Sequence, residues 1–355
     1  MRAIRNSRRT PRAAILAALV VGATAGCSTG TTETAEVSRR TATSATTAVS
    51  LPAGPAQKIA VDTWPSGIEV DGSTGEVYVL GSDEILVFTQ GMNGPTNRIP
   101  THPGTDDIAF DRMHHTAWVS SNLRSNAPED HKVNILDTQS KQMIGTVEVS
   151  HPVLAVGVDP LAHRAFVVNR PDDQTAIPDS RAWVTVFDTR TRAPITTIEL
   201  PFAAYEIDID PNAHTAVISG WLEAATMSTQ IHDVDRSRSV ASESSSMETT
   251  IDTERELAYV VSDGTLSTIS TGDNGTVSER KVEWEEGSMD IGPDGTILVS
   301  DHENRGLMVI DPATGALLGR IPAGVAPSSI ATTPDRRTAY ISSNADKAIS
   351  VIRFA

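Results

Sequence analysis

A single cysteine in 355 residues leaves no partner for an internal disulfide. Aromatic residues make up 4% of the chain against 39% hydrophobic residues overall. An apolar core must therefore be assembled from Val, Ile, Leu and Ala. After the first thirty residues no apolar run reaches transmembrane length. Catalytic signatures are missing as well. There is no Gly-x-Ser-x-Gly elbow, no His-Glu-x-x-His, no glycine-rich phosphate loop opening a helix, and no second cysteine for a redox pair.

Positive charge is also in short supply. The formal net charge is -16, and five arginines (Arg2, Arg5, Arg8, Arg9 and Arg12) lie before Cys27 with no acid among them, so the remainder carries -21. Such a surface repels phosphate backbones, which makes nucleic acid an unsuitable partner. It tolerates cations and cationic peptides, and it keeps an exported protein soluble.

What is present begins with an address. After the arginine-rich residues 1–12 comes the apolar run Ala13–Val21, then the small residues Gly22–Gly26, then Cys27. Charged, apolar and small-residue segments in that order are the layout of a secretory signal. Ala25-Gly26-Cys27 resembles the lipobox of bacterial lipoproteins, with Thr24 where that family usually has Leu. The resemblance implies a diacylglyceryl group on the Cys27 sulfur and cleavage that makes Cys27 the N-terminus. It further implies attachment to the cell membrane on the extracytoplasmic side, since paired acyl chains anchor stably. Arg8-Arg9 is a twin-arginine-like pair, but Pro11 stands where that signal prefers an apolar residue. Residues 1–26 are thus read as a signal peptide and 27–55 as the anchored cysteine with a tether. The tether is rich in Ser, Thr, Ala, Gly and Pro without apolar periodicity, a composition expected to stay disordered and flexible.

From residue 56 onward the pattern is all-β. Short alternating strands recur, punctuated by Gly, Pro and Asp. Seven second strands can be aligned: 76–79, 116–119, 164–167, 215–218, 257–260, 295–298 and 338–341. Their spacing matches the blade-length repeats of propellers. Third strands follow in step, as in Val133–Asp137, Val184–Asp188 and Met308–Asp311. The third strand Ile349–Phe354 has no fourth after it. Lys58-Ile59-Ala60-Val61 reads like a fourth strand and is expected to complete the last blade, closing a seven-bladed β-propeller over 56–355.

Val325-Ala326-Pro327-Ser328-Ser329-Ile330-Ala331, followed by Pro334-Asp335 and Ala339-Tyr340-Ile341-Ser342-Ser343-Asn344, resembles the YVTN-type propeller repeat. That repeat occurs in bacterial and archaeal surface proteins. The resemblance extends over 57–355, closest in blade seven and faintest in blades four and five. It implies a fold and leaves the chemistry open.

Two groups of residues are candidates for function. Loops joining second to third strands are long in blades two to four, at Asn122–Lys132, Asn169–Ala182 and Gly220–Thr229, and such loops on a rigid scaffold commonly bind. They bring Arg124, His131, Arg170, Arg181 and Trp221 to one face. On the inner strands, acids replace small residues at two levels: Asp107, Glu206 and Glu248, then Glu69, Asp208 and Asp290. His102 and His151 precede inner strands in matching loops. Crowded carboxylates need a cation or raised pKa values. Oxygen ligands suit Ca²⁺ or Mg²⁺, and added imidazoles suit Zn²⁺.

The expected function is that of a non-catalytic binding or scaffold protein, a monomer tethered to the membrane and engaging another surface protein or a small ligand. Alternatives are divalent-metal binding or delivery, with His102, Asp107, His151, Glu206, Asp208, Glu248 and Asp290 as candidate ligands. A metal-dependent hydrolase of the lactonase type is a further alternative.

Overall fold

The computed structural model describes residues 52–91, 93–101, 104–105, 107–120, 131–170, 181–230, 234–246, 248–272, 278–284 and 287–355. Strands dominate them, gathered into seven antiparallel sheets whose inner strands succeed one another around a ring. The seven-bladed β-propeller expected from the repeat is the observed fold.

From axis to rim, blade one consists of Gly67–Val70, Val77–Leu80, Glu84–Phe88 and Asn97–Pro100. Blade two has Ile108–Asp111, Thr116–Ser120, Lys132–Asp137 and Gln142–Glu148. Blade three has Val153–Asp159, Arg164–Asn169, Ala182–Asp188 and Pro194–Leu200. Blades five and six start at Glu248–Asp252 and Met289–Ile291 and also hold four strands each.

Blade four departs from the expected pattern. The stretch Gly220–Thr229, read above as a loop, belongs almost wholly to the strand Thr215–Ser228. Its first part pairs with Ala204–Asp210 and its second with Val234–Ser246. Thr229 N donates to His214 O at 2.9 Å, so the chain folds back within that element. The reason is packing: Ala224, Ala225 and Met227 are fully buried, which a solvent loop would forfeit.

The ring closes as anticipated. Gln57–Ala60 pairs antiparallel with Ala348–Arg353 of blade seven, with Ile59 opposite Ile349 and Ala60 opposite Ala348. Each inner strand runs from an upper to a lower face. The turns after inner strands and those after third strands therefore share the lower face. The chain joins the ring on that face, where Ala53 N donates to Arg353 O at 2.7 Å and Phe354 N to Arg337 O at 2.8 Å.

Seven apolar clusters fill the seven gaps between neighbouring blades. With so few aromatics, those available sit where one ring serves two sheets: Tyr78, Trp118, Phe166 and Tyr259 are buried on second strands. Among the described residues, the gap between blades four and five holds Val217, Ala224, Ala258, Val260 and Ile269, with Ile251 beside them.

Aspartates at the foot of the inner strands supply directional contacts. Asp71, Asp111, Asp159, Asp210 and Asp252 are each at most 1% exposed. Asp159 Oδ1 accepts from Leu161 N and Ala162 N, both at 2.9 Å, holding the turn. Its Oδ2 crosses to the next blade and accepts from His214 Nδ1 at 2.9 Å and from the Thr229 hydroxyl. Asp210 repeats this, capping Asn212 N and Ala213 N and accepting from Thr271 Oγ1 of blade five.

Closure through Gln57–Ala60 has a measurable consequence. Ile59→Ala removes a side chain that is 7% exposed and should cost about 2–3 kcal/mol, lowering Tm by roughly 3–5 °C. Deleting 57–60 should unfold or aggregate the protein, whereas deleting 28–50 should leave Tm unchanged in a calorimetric scan.

Candidate functional site

A cavity of about 760 Å³ runs along the axis. Its wall carries all six acids expected there: Glu69, Asp107, Glu206, Asp208, Glu248 and Asp290. Inner strands lie closest to the axis, so small residues there widen the opening and acids narrow it. The six do not share one environment.

Asp107 and Asp290 are used as fasteners. Asp107 Oδ1 accepts from Ile108 N at 2.8 Å, and its Oδ2 accepts from Val156 N of blade three at 2.8 Å. Asp290 does the same one level lower, accepting from Ile291 N and from Thr332 N of blade seven, each at 2.6 Å. Burial still pushes Asp290 up to about 6, because the amides offset only part of the desolvation.

Glu206 and Asp208 form a second group with Thr249 of blade five. The Thr249 hydroxyl lies 3.2 Å from Glu206 Oε2 and also contacts Asp208 Oδ2. Ser219 Oγ donates to the same Glu206 oxygen at 3.2 Å. One threonine proton cannot serve two carboxylates at once. Burial, then the neighbouring Asp208 and Glu248, push Glu206 well above the usual carboxylate range. Burial raises Asp208 too, against the Thr249 hydrogen bond. The pair therefore tends to keep a proton that separated acids would release.

Glu69 faces the cavity rather than packing into a blade interface. Enclosure by the wall, followed by the charges of Asp290 and Asp107, raises it well above the ordinary value. Cations stand at the lower mouth. Arg336 reaches from blade seven to Asp252 at 2.7 Å and Glu254 at 3.3 Å in blade five, and Arg112 lines the wall nearby.

His151 does not join the acids. His151 is not among the residues lining the cavity. Its ring stacks on Trp183 at 4.3 Å and 15°, and its carbonyl accepts from Asn169 Nδ2 at 3.0 Å. His102 lies outside the described residues. Among the described residues no group of three or more His, Cys, Asp or Glu is arranged to hold a metal ion. The ligand set of acids plus histidines expected above is thus not brought together there.

Of the residues expected on the binding face, His131 is buried at 3% exposure, and its carbonyl accepts from Val149 N at 3.0 Å at the upper end of blade two. Arg181 is exposed and pairs with Glu199. Arg170 stands near the upper mouth, where its charge lowers a Tyr205 hydroxyl that burial raises. Cys27 and Arg124 lie outside the described residues, as does the side chain of Trp221. Sequence reasoning missed the contacts from Asp159 to His214 and Thr229. Their only trace was an Asp closing the inner strand and a Thr following the third strand in blades one to five.

No protein-family profile matches this chain, and no curated protein matches it. Solved structures do, in 1305 chains. One is the Kuenenia stuttgartiensis hydrazine synthase, 16% identical, with a TM-score of 0.67 over 84% of this chain and 97% of that one. Another is U3-55K, 11% identical, with a TM-score of 0.66 over 85% and 100% of the two chains. The likeness is one of fold. At these identities neither protein's role carries over to this chain.

The axis sets a particular pH dependence. Glu69, Glu206, Asp208 and Asp290 are raised in the folded state, so they bind protons more readily folded than unfolded. Their contribution is largest at low pH and is lost as pH rises through their folded values, about 6 for Asp290. Asp188, Asp252, Asp301 and Asp346 are lowered by arginine and amide partners, so theirs is lost as pH falls below about 4. Tm should therefore peak near pH 5 and decline toward pH 8. Glu69→Gln should raise Tm at pH 8 and flatten that decline. Asp107→Ala should do the opposite, costing about 2–3 kcal/mol by stranding two amides.

Proposed function

We propose that the protein is a lipid-anchored, extracytoplasmic binding and scaffold protein of the YVTN-repeat type, held at the membrane by Cys27. The observation that carries this reading is where the rigid ring presents side chains suited to a partner. At the upper ends of blade three, Arg170, Arg181 and the stacked His151–Trp183 pair stand at or just beyond the ends of strands whose positions closure has fixed. Stacked aromatics and arginines are favoured anchors in protein interfaces. Asp107 and Asp290, by contrast, are spent on joining blades, which suits a scaffold.

A second reading is favoured by one specific feature. Glu206 and Asp208 share the Thr249 hydroxyl, and a hard divalent cation between these two carboxylates would satisfy both where one hydroxyl proton cannot. Such a cation would neutralise the pair.

The anchor and the partner face are separable by experiment. Cys27→Ser should abolish acyl labelling and release the chain from membranes without changing Tm. Arg170→Glu with Arg181→Glu should leave anchoring intact and reduce recovery of cross-linked surface partners by at least about tenfold. Unchanged cross-linking would refute the upper-face site. Calcium and zinc titrations in a calorimeter test the second reading, which fails if the wild type and Glu206→Gln give the same blank trace.

A further inference from the structure

Six large hydrophobic side chains are conspicuously exposed among the described residues, and four of them sit on blades two and three: Met113 at 58%, Leu161 at 52%, Ile195 at 42% and Ile144 at 41%. Single exposed apolar residues are ordinary, so their concentration in one sector is what calls for a cause. All four lie at the lower face. Met113 and Leu161 occupy the turns after the inner strands, and the His114 and His163 rings join those turns at 5.1 Å. Ile144 and Ile195 stand near the start of the outer strands. Arg192 links them, reaching from blade three to Ile144 O at 3.4 Å.

Charge in this sector runs against the rest of the protein. Asp111 and Asp159 are fully buried as turn caps. Asp188 is shared by Arg164 at 3.2 Å and Arg190 at 2.9 Å, so one carboxylate faces two guanidinium groups. Arg112 and Arg192 meet no carboxylate among the described residues. Elsewhere on the same face acids are exposed, as with Glu254 of blade five at 72%. An apolar patch rimmed by arginines, set apart from the acidic remainder of the chain, complements an anionic headgroup interface.

The attachment of the chain agrees with this. Pro52 bridges to Phe354 at the lower face. The residues between Cys27 and Pro52 can span at most roughly 85 Å fully extended. The patch and the first described residues of the chain therefore share one side of the ring, opposite the upper face that carries Arg170 and Arg181.

We propose that the lower face of blades two and three is a membrane-docking surface, seated on the anionic phospholipid headgroups of the bilayer that holds the anchor. Met113, Leu161, Ile144 and Ile195 enter the headgroup region, and Arg112, Arg190 and Arg192 contact lipid phosphates. Docking turns a swinging tethered domain into an oriented one with its upper face pointing away from the membrane. This rests on the anchored reading of Cys27.

The test uses the full chain, exported and acylated, reconstituted into phosphatidylcholine vesicles with or without phosphatidylglycerol. Amide hydrogen exchange over 112–115, 160–164 and 190–196 should slow about tenfold relative to detergent micelles, and only when phosphatidylglycerol is present. Turns 302–305 and 344–347 of the upper face should not change. Met113→Asp, Leu161→Asp and Ile195→Asp combined should abolish the slowing, and Arg112→Glu with Arg192→Glu should do so independently, with Tm in detergent confirming that both variants fold. Slowing that survives both variants, appears equally on the upper face, or occurs without phosphatidylglycerol overturns the proposal. So does the absence of slowing in acylated protein. Mass analysis of the Cys27 peptide separates the two failures, because a chain lacking acyl groups refutes the anchor instead.

Discussion

Propeller blades meet face to face through apolar contacts, and dispersion does not specify the angle at which one sheet sits on the next. In this protein the angle is set by buried carboxylates that belong to one blade and accept hydrogen bonds from its neighbour. Asp159 shows the arrangement fully: one oxygen holds its own turn, and the other takes the His214 imidazole and the Thr229 hydroxyl of blade four. Hydrogen bonds to an ionised acceptor are stronger than neutral ones and lose more when a partner is removed. A core with few aromatics gains most from such contacts, because its aliphatic clusters are small, and among the described residues the cluster between blades four and five is the smallest.

The same residue type has the reverse effect along the axis. Asp107 and Asp290 face backbone amides across a blade boundary and are held by them. Glu69, Glu206 and Asp208 face mainly one another and the enclosing wall, so their ionised forms are disfavoured. What separates the two groups is whether the donors are backbone amides of the next blade or a hydroxyl shared beside further acids, since desolvation acts on Glu206, Asp208 and Asp290 alike. The axis is therefore held together and pushed apart by neighbouring acids.

The two faces of the ring differ in chemistry as much as the acids do. The upper ends of blade three carry an aromatic stack with two arginines, one of them paired with Glu199. The lower face of blades two and three carries exposed aliphatic residues beside arginines, and Asp111 and Asp159 there are turned inward as caps. Both features depend on strand direction. An inner strand ends at the lower face, so every capping aspartate and every turn that follows it must lie there.

Blade number, second-strand positions and the closing strand were legible in the sequence, because alternation with a period of two and a turn signal every few residues are local properties. Met227 and Ala225 mark the limit of that method. A polar-looking stretch after Gly220 reads as a loop until a neighbouring blade buries it. The axial acids were legible as a set, since each sits at a fixed distance from a turn. Their division into fasteners and mutually repelling groups was not, because it depends on which amide of the next blade comes within hydrogen-bond reach. His151 makes the same point: its place in the chain matched a ring of acids, and its ring stacks on Trp183 instead. By itself the sequence determined the strands, their alternation and the order of the blades. Only the tertiary structure decided which carboxylates have partners, because those partners come from a different blade, a separation in sequence that no local pattern records.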